Sequence, residues 1–208
     1  MILRHFYCNV EIMSQPKTYV FFGIIGSGKG TQIDLLKKLF KDKYNQESVY
    51  AYPGAMYRKL IEDGNHFGNL VKASMDRGEL QPDLLTTSLV VNVLINSYTP
   101  DKILFFDGYP RTIEQSKSFE TLVDILSINE IEVVYIELSK EEAMRRNLAR
   151  GRTDDTEEAI NKRFDEYVNN VVPAMKYFEG KPNYSIHTIN GDQSIEKVHE
   201  DIIKALNI

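Results

Sequence analysis

The period of the hydrophobic pattern changes repeatedly along this chain. Thr18–Gly23 (TYVFFG) is a short, apolar, β-prone run and predicts a buried strand. After a glycine-rich stretch, Ile33, Leu35, Leu36, Leu39 and Phe40 fall on one helical face. Ser48–Tyr52 reads as a second strand, and helical pieces follow around Met56–Glu62, Leu70–Arg77 and Leu84–Asn96. Lys102–Asp107 (KILFFD) predicts another buried strand and Thr112–Leu126 a helix. Glu132–Glu137 (EVVYIE) reads as a strand and Lys140–Arg150 as a helix. Asp155 and Glu158 form a D-x-x-E capping pattern. The helix it opens carries Ile160, Phe164, Tyr167, Val171, Met175 and Phe178, with Pro173 expected to kink it. Tyr184–Ile189 is a last strand, and Ile195, Val198, Ile202 and Leu206 line a last helix.

Strands alternating with helices predict an α/β fold of three layers, a parallel five-stranded sheet with helices on both faces. Ligands of such sheets bind beyond the carboxyl ends of the strands. Gly23, Asp107 and Asn190 all fall at such ends.

The totals narrow the function. The chain's 208 residues fit one domain, and 42% hydrophobic residues suffice for a sizeable core. A net charge of -5 gives no pull towards nucleic acid or an anionic membrane, so an anion site must be a local concentration of Arg and Lys. The single cysteine, Cys8, excludes internal disulfides and a Cys-rich zinc site, and suits a reducing cytoplasm. No apolar run approaches the ~20 residues of a membrane span. The N-terminal segment MILRHFYCNVEIMSQPK makes a poor signal peptide, and residues 1–17 read as an extension ahead of the folded part.

The chemistry begins at GIIGSGKGTQ, residues 23–32. Gly23-x4-Gly28-Lys29 between a strand and a helix has the spacing of a phosphate-binding loop. Successive backbone N–H groups in such a turn form an anion nest, and the following helix adds its positive end. Lys29 can then reach β and γ phosphates. Gly30 stands where Ser or Thr is usual, and Thr31 follows. Asp107, ending an apolar strand, could hold Mg²⁺ through water.

Arginines are in surplus. Arg111 follows in DGYPRT; Arg146, Arg150 and Arg152 crowd RRNLARGRTDD; Arg163 lies on the capped helix and Arg58 in PGAMYR. A switch or an ATPase needs one arginine finger, whereas transfer between two nucleotides must neutralise two phosphate chains. Gly151, with Asp154 and Asp155, suggests a short mobile cap over them. The plain alternative for Arg145, Arg146 and Arg150 is a solvated helix face paired with Glu141 and Glu142. His5, His66, His187 and His199 sit in no catalytic pattern.

Three motifs in order, GIIGSGKGTQ, DGYPRT-x2-Q and R-x3-R-G-R-T-D-D-T-E-E-x-I-x-x-R, resemble the adenylate kinase family of nucleoside monophosphate kinases. The likeness runs from about Thr18 to the C-terminus. It implies a P-loop domain over residues 18–208, with a monophosphate-binding insert near 47–82 and a short lid near 150–155. Gly26, Ser27, Gly28, Lys29, Gly30 and Thr31 would bind ATP, with Arg146 on its adenine and the backbone near Gly191 and Gln193 at that base's edge. Arg111 and Arg58 would grip the acceptor's phosphate. Arg150, Arg152 and Arg163, with Lys29 and Arg111, would surround the phosphoryl group in transit. Gly54, Leu80, Gly108 and Gln115 would complete the acceptor pocket, with Gln115 reading the base. Asp107 and Thr31 would orient water on Mg²⁺. Zinc is not expected.

The acceptor side departs from the family. Pro53-Gly54-Ala55 replaces the usual Thr-Gly-Asp, removing a hydroxyl that touches adenine. Kinases for uridine and cytidine monophosphate also lack that threonine, but they usually carry Asn where this chain has Gln115. Tyr-Pro-Gly is similar to thymidylate kinases, which differ in the arginine motif and lack this lid pattern. The expected reaction is ATP + AMP to two ADP, in a cytoplasmic monomer. UMP/CMP or dTMP as acceptor, or a non-catalytic nucleotide sensor, are the alternatives. A GTPase switch lacks support, because no Asn-Lys-x-Asp motif occurs.

Overall fold

A computed structural model describes residues 18–151 and 156–208. Five strands form one parallel sheet: β1 (Thr18–Gly23), β2 (Ser48–Ala51), β3 (Ile103–Asp107), β4 (Ile131–Glu137) and β5 (Tyr184–Asn190). Their order is β2-β3-β1-β4-β5. The first strand is therefore central, with Thr18 opposite Leu104 of β3 on one side and Ile131 of β4 on the other.

Successive strand residues point to opposite faces, and along β1, β3 and most of β4 both faces are dry. Tyr19, Phe21, Ile103, Phe105, Val134 and Ile136 pack under α1 (Lys29–Tyr44) and α9 (Ile195–Leu206), through Ile33, Leu36, Phe40, Val198 and Ile202. Val20, Phe22, Leu104, Phe106 and Val133 pack under α4 (Asp83–Ser97), α5 (Ile113–Ile125) and α8 (Val172–Lys176), through Val90, Phe119, Ala174 and Met175. Burial on both faces is why these strands read as continuous apolar runs rather than alternating ones.

The remaining helices stand at the carboxyl ends of the strands. They are α2 (Pro53–Glu62), α3 (His66–Asp76), α6 (Lys140–Arg150) and α7 (Glu157–Glu166). β2, which lies within the 47–82 segment, is an edge strand of the main sheet. The loop after α3 meets α7 closely: a side chain on Gly78 would come within 2.5 Å of the Ala159 carbonyl.

One expectation changes. Thr156, not Asp155, caps α7: its side chain accepts from the Ala159 N–H, so the helix starts one residue later than D-x-x-E implied. Asp155 itself lies outside the described residues. Around Pro173 the helix departs from the regular α pattern. A π-helical turn over Tyr167–Val171 runs directly into α8, with Pro173 in its first turn. The wider turn makes room for a ring that would clash with the carbonyl four residues back.

Candidate functional site

β1 leads towards β2 and β4 towards β5, so their connections diverge and a crevice opens beyond their carboxyl ends. A cavity of about 610 Å³ occupies it, floored by the glycine loop and walled by α2, α6 and α7.

The loop folds as its glycines require. Gly26 has φ +85°, and a Cβ there would lie 2.6 Å from Asn147 Nδ2. Asn147, fully buried on α6, donates 2.9 Å to the Ile25 carbonyl and so ties α6 to the loop. Lys29 opens α1 and folds back inside the loop. Its Nζ donates to the carbonyls of Gly23 (2.8 Å) and Ile24 (2.9 Å) and to Ser27 Oγ (3.3 Å). Burial pushes the Lys29 amine down to about 8; Asp107 opposes that shift, while Arg111 and Arg150 add to it.

Asp107 ends β3 in the cavity wall, and its Oδ2 accepts from the Tyr50 hydroxyl at 2.8 Å. The following turn shapes Arg111. Its Nε donates to the Gly108 carbonyl (2.7 Å), and Gly108, with φ +64°, has no room for a side chain against that guanidinium. Burial also lowers the Arg111 pKa, with Arg163 and Arg58 adding repulsion. Arg58 reaches from α2 to the Tyr52 hydroxyl at 2.8 Å. Arg163 reaches from α7 to the Met75 carbonyl at 3.4 Å. Arg146 donates to Glu142 (2.6 Å) and to the Gly191 carbonyl (3.0 Å). Arg145, one place earlier, is an exposed partner of the same Glu142, which is the solvated pairing the sequence allowed.

Lys29, Arg58, Arg111, Arg146, Arg150 and Arg163 thus share one cavity wall. Gly26, Gly28, Gly30, Thr31, Gly54, Leu80, Asp107, Gly108 and Gln115 line it too. Ser27 does not: it is buried beneath the loop, holding Lys29. Gly191 and Gln193 are also not in the lining. Gly191 accepts from Arg146, and the Gln193 amide is turned to the Asn190 carbonyl and Asp201. Arg152 lies outside the described residues. Gln115 is in place, but its amide already has protein partners: Oε1 accepts from the Arg111 N–H and Nε2 donates to Asp83, both at 2.8 Å.

A polar cradle of this size, on these elements, can be compared with known proteins. The family model described as Adenylate kinase matches residues 21–183. The chain is 33% identical over 192 residues to an adenylate kinase of Bacteroides fragilis, covering 90% of this chain and 97% of that one. It is 31% identical over 194 residues to an adenylate kinase of Leptospira biflexa, covering 91% and 100%. It is 36% identical over 188 residues to one of Prochlorococcus marinus, covering 89% and 96%. This chain belongs to the adenylate kinase family.

Within this adenylate kinase fold, several residues at the site carry no motif. Tyr50 and Tyr52 sit at the end of an edge strand, rings stacked 5.8 Å apart, holding Asp107 and Arg58. Asn147 lies inside the R-x3-R segment, but nothing in the segment's pattern marks it as buried. Asp83 follows Pro82 as an ordinary acidic start to a helix. Its Oδ1 nevertheless accepts from both Thr112 Oγ1 (2.9 Å) and Gln115 Nε2 (2.8 Å).

Proposed function

We propose that this protein transfers the terminal phosphate of ATP to AMP, forming two ADP. The observation that carries the reading is the crowding of Lys29, Arg58, Arg111, Arg146, Arg150 and Arg163 about one glycine-floored cavity. Such cations repel one another: Arg111 and Arg150 both disfavour charged Lys29. Polyphosphate between them turns that repulsion into attraction, in a site already arranged for it.

The roles proposed for these residues are as follows. The loop amides and Lys29 hold the donor's phosphates, Lys29 exchanging the Gly23 and Ile24 carbonyls for phosphate oxygens. Arg111 and Arg58, on the β3 and α2 side, hold the acceptor's phosphate. Arg150 and Arg163 stand between and neutralise the group in transit, and Arg152 belongs with them. Arg146 lies along the donor base. The attacking oxygen is already anionic, so no general base is required, and among the described residues no histidine lines the cavity. Keeping water out matters more than deprotonation. The segment after Arg150 serves as a short lid, and α2 with α3 as the acceptor-side insert.

Mg²⁺ fits this wall. Asp107 offers a carboxylate and Thr31 a hydroxyl, hard oxygen donors that suit the ion. Asp107 and Thr31 would hold the ion through water, and it would supply charge neutralisation to the nucleotide's phosphate chain. Asp107 is held for that task by Tyr50. Among the described residues no helix is long and apolar enough to cross a membrane. A cytoplasmic monomer acting on free nucleotides completes the reading.

The test is ADP formation from ATP with AMP, dAMP, UMP, CMP, GMP and dTMP as acceptors. AMP should give the highest kcat/KM. ATP hydrolysis without transfer to any monophosphate overturns the reading.

A further inference from the structure

We propose that Asp83 is a positioning residue for acceptor choice. It locks the Gln115 amide in one of its two orientations, so that the cavity presents a fixed order of donor and acceptor to the base. The inference rests on the proposed acceptor pocket and deepens it.

An amide side chain presents an oxygen on one side and an NH₂ on the other, and rotation by half a turn exchanges them. For Gln115 that exchange is blocked twice. The Arg111 main-chain N–H can only donate, so the group facing it at 2.8 Å must be Oε1. The Asp83 carboxylate can only accept, so the group facing it at 2.8 Å must be Nε2. Asp83 is itself fixed, because the same Oδ1 accepts from Thr112 Oγ1 at 2.9 Å. Thr112 in turn caps α5 by accepting from the Gln115 N–H. The four residues form a closed circuit behind a side chain that is 2% exposed yet lines the cavity.

The locked amide keeps one N–H and one oxygen lone pair for a ligand, in a fixed order. A 6-amino purine offers a donor at position 6 beside a ring-nitrogen acceptor, whereas a 6-oxo purine carries an acceptor at position 6. At one placement of the base only one of the two matches. Rejecting the other requires that the amide not turn. The preference for AMP over GMP or IMP therefore depends on both anchors, of which Asp83, a residue outside the cavity lining, is the one that a side-chain substitution removes.

Asn at position 83 retains an oxygen that can take the Thr112 and Gln115 hydrogen bonds; Ala retains nothing. The ratio of kcat/KM for AMP over IMP should fall about tenfold in Asp83→Ala, in the range set by one mispaired buried hydrogen bond. The change should lie in the acceptor's KM, with KM for ATP unmoved. Asp83→Asn should restore the ratio to within about twofold. A structural role alone would not produce rescue in base selectivity at constant KM for ATP. An unchanged ratio in Asp83→Ala, or Asp83→Asn behaving as Ala, overturns the inference. If Asp83→Ala does not fold, the Gln115 side-chain NH₂ in the unmodified protein decides: protons exchanging as fast as an exposed glutamine's overturn the lock, and protected protons support it. Failure of the underlying reading looks different: the unmodified protein would show no AMP preference, or Gln115→Ala would leave the preference intact.

Discussion

Tyr50 donates its hydroxyl to Asp107 Oδ2 at 2.8 Å, joining the edge strand of the sheet to the carboxylate at the end of β3. The bond crosses between neighbouring strands, where Tyr50 is registered with Phe105. Burial and the adjacent carboxylate raise the Tyr50 pKa well above the ordinary tyrosine range, so the phenol stays a donor. Tyr50→Phe keeps the ring beside Tyr52 and deletes only that bond. The Mg²⁺ concentration for half-maximal rate should rise about 3- to 10-fold, below the full range for residues supporting a direct metal ligand because contact through water dilutes the effect. A magnesium titration of the initial rate measures it, and an unchanged midpoint would remove Tyr50 from the account.

Lys29→Met should lower kcat by on the order of 10² or more, the scale of one preorganised donor. The same substitution trades the cost of a buried ammonium against the Gly23 and Ile24 carbonyls left without their donor. Below about pH 8 the folded state holds a buried ammonium, at full cost. Between about pH 8 and the ordinary value of 10.5 the unfolded chain keeps its proton and the folded one does not, so stability rises with pH. Calorimetry should show the melting temperature of the unmodified protein rising by a few degrees relative to the Met variant's between about pH 8 and pH 10. Phosphate beside Lys29 favours its charged form, so ATP affinity should be level below pH 8 and weaken above it, by at most about tenfold per pH unit.

Arg150→Ala and Arg163→Ala should each cost about 10² to 10³ in rate, less than a lone arginine finger because several cations share the charge. The loss should sit in kcat, since that charge develops during transfer. Should both variants only raise KM for ATP, these side chains bind rather than catalyse.

Asn147→Ala removes the donor that ties α6 to the Ile25 carbonyl. Leaving that carbonyl without its partner should cost about 1–3 kcal/mol of stability, read by denaturant unfolding. KM for ATP should rise several-fold, because the loop loses its brace while the cations stay in place. Stability and KM both unchanged would show that the loop holds its shape unaided.

β1 and β3 were legible because both are buried on both faces, so TYVFFG and KILFFD stand out as unbroken apolar runs. The phosphate loop and Arg111 were legible because their glycine spacing and order along the chain are narrow patterns. Other features needed coordinates. Asp155 and Thr156 are adjacent and both are good caps, and only the path of the chain decides for Thr156. Gln115 could be placed in the pocket from the resemblance to the family, but not the state of its amide, which depends on Asp83 from a different helix. Tyr50 and Asn147 act through single hydrogen bonds to distant segments, and such bonds leave no periodicity to read.

The sheet order also bears on how the chain is made. Among the described residues β1, the strand carrying the phosphate loop, pairs with β3 and β4, and β2, synthesised next, pairs with β3 alone. At ribosomal speed roughly ten seconds separate the appearance of Gly23 from that of Asp107. During that interval Tyr19, Phe21 and Phe22 have no strand to pair with. A nascent chain whose residues 103–107 have not left the ribosome would present an unpaired, aromatic-rich edge to other chains and to chaperones, and the β2-β3-β1 pairing becomes available once they have emerged.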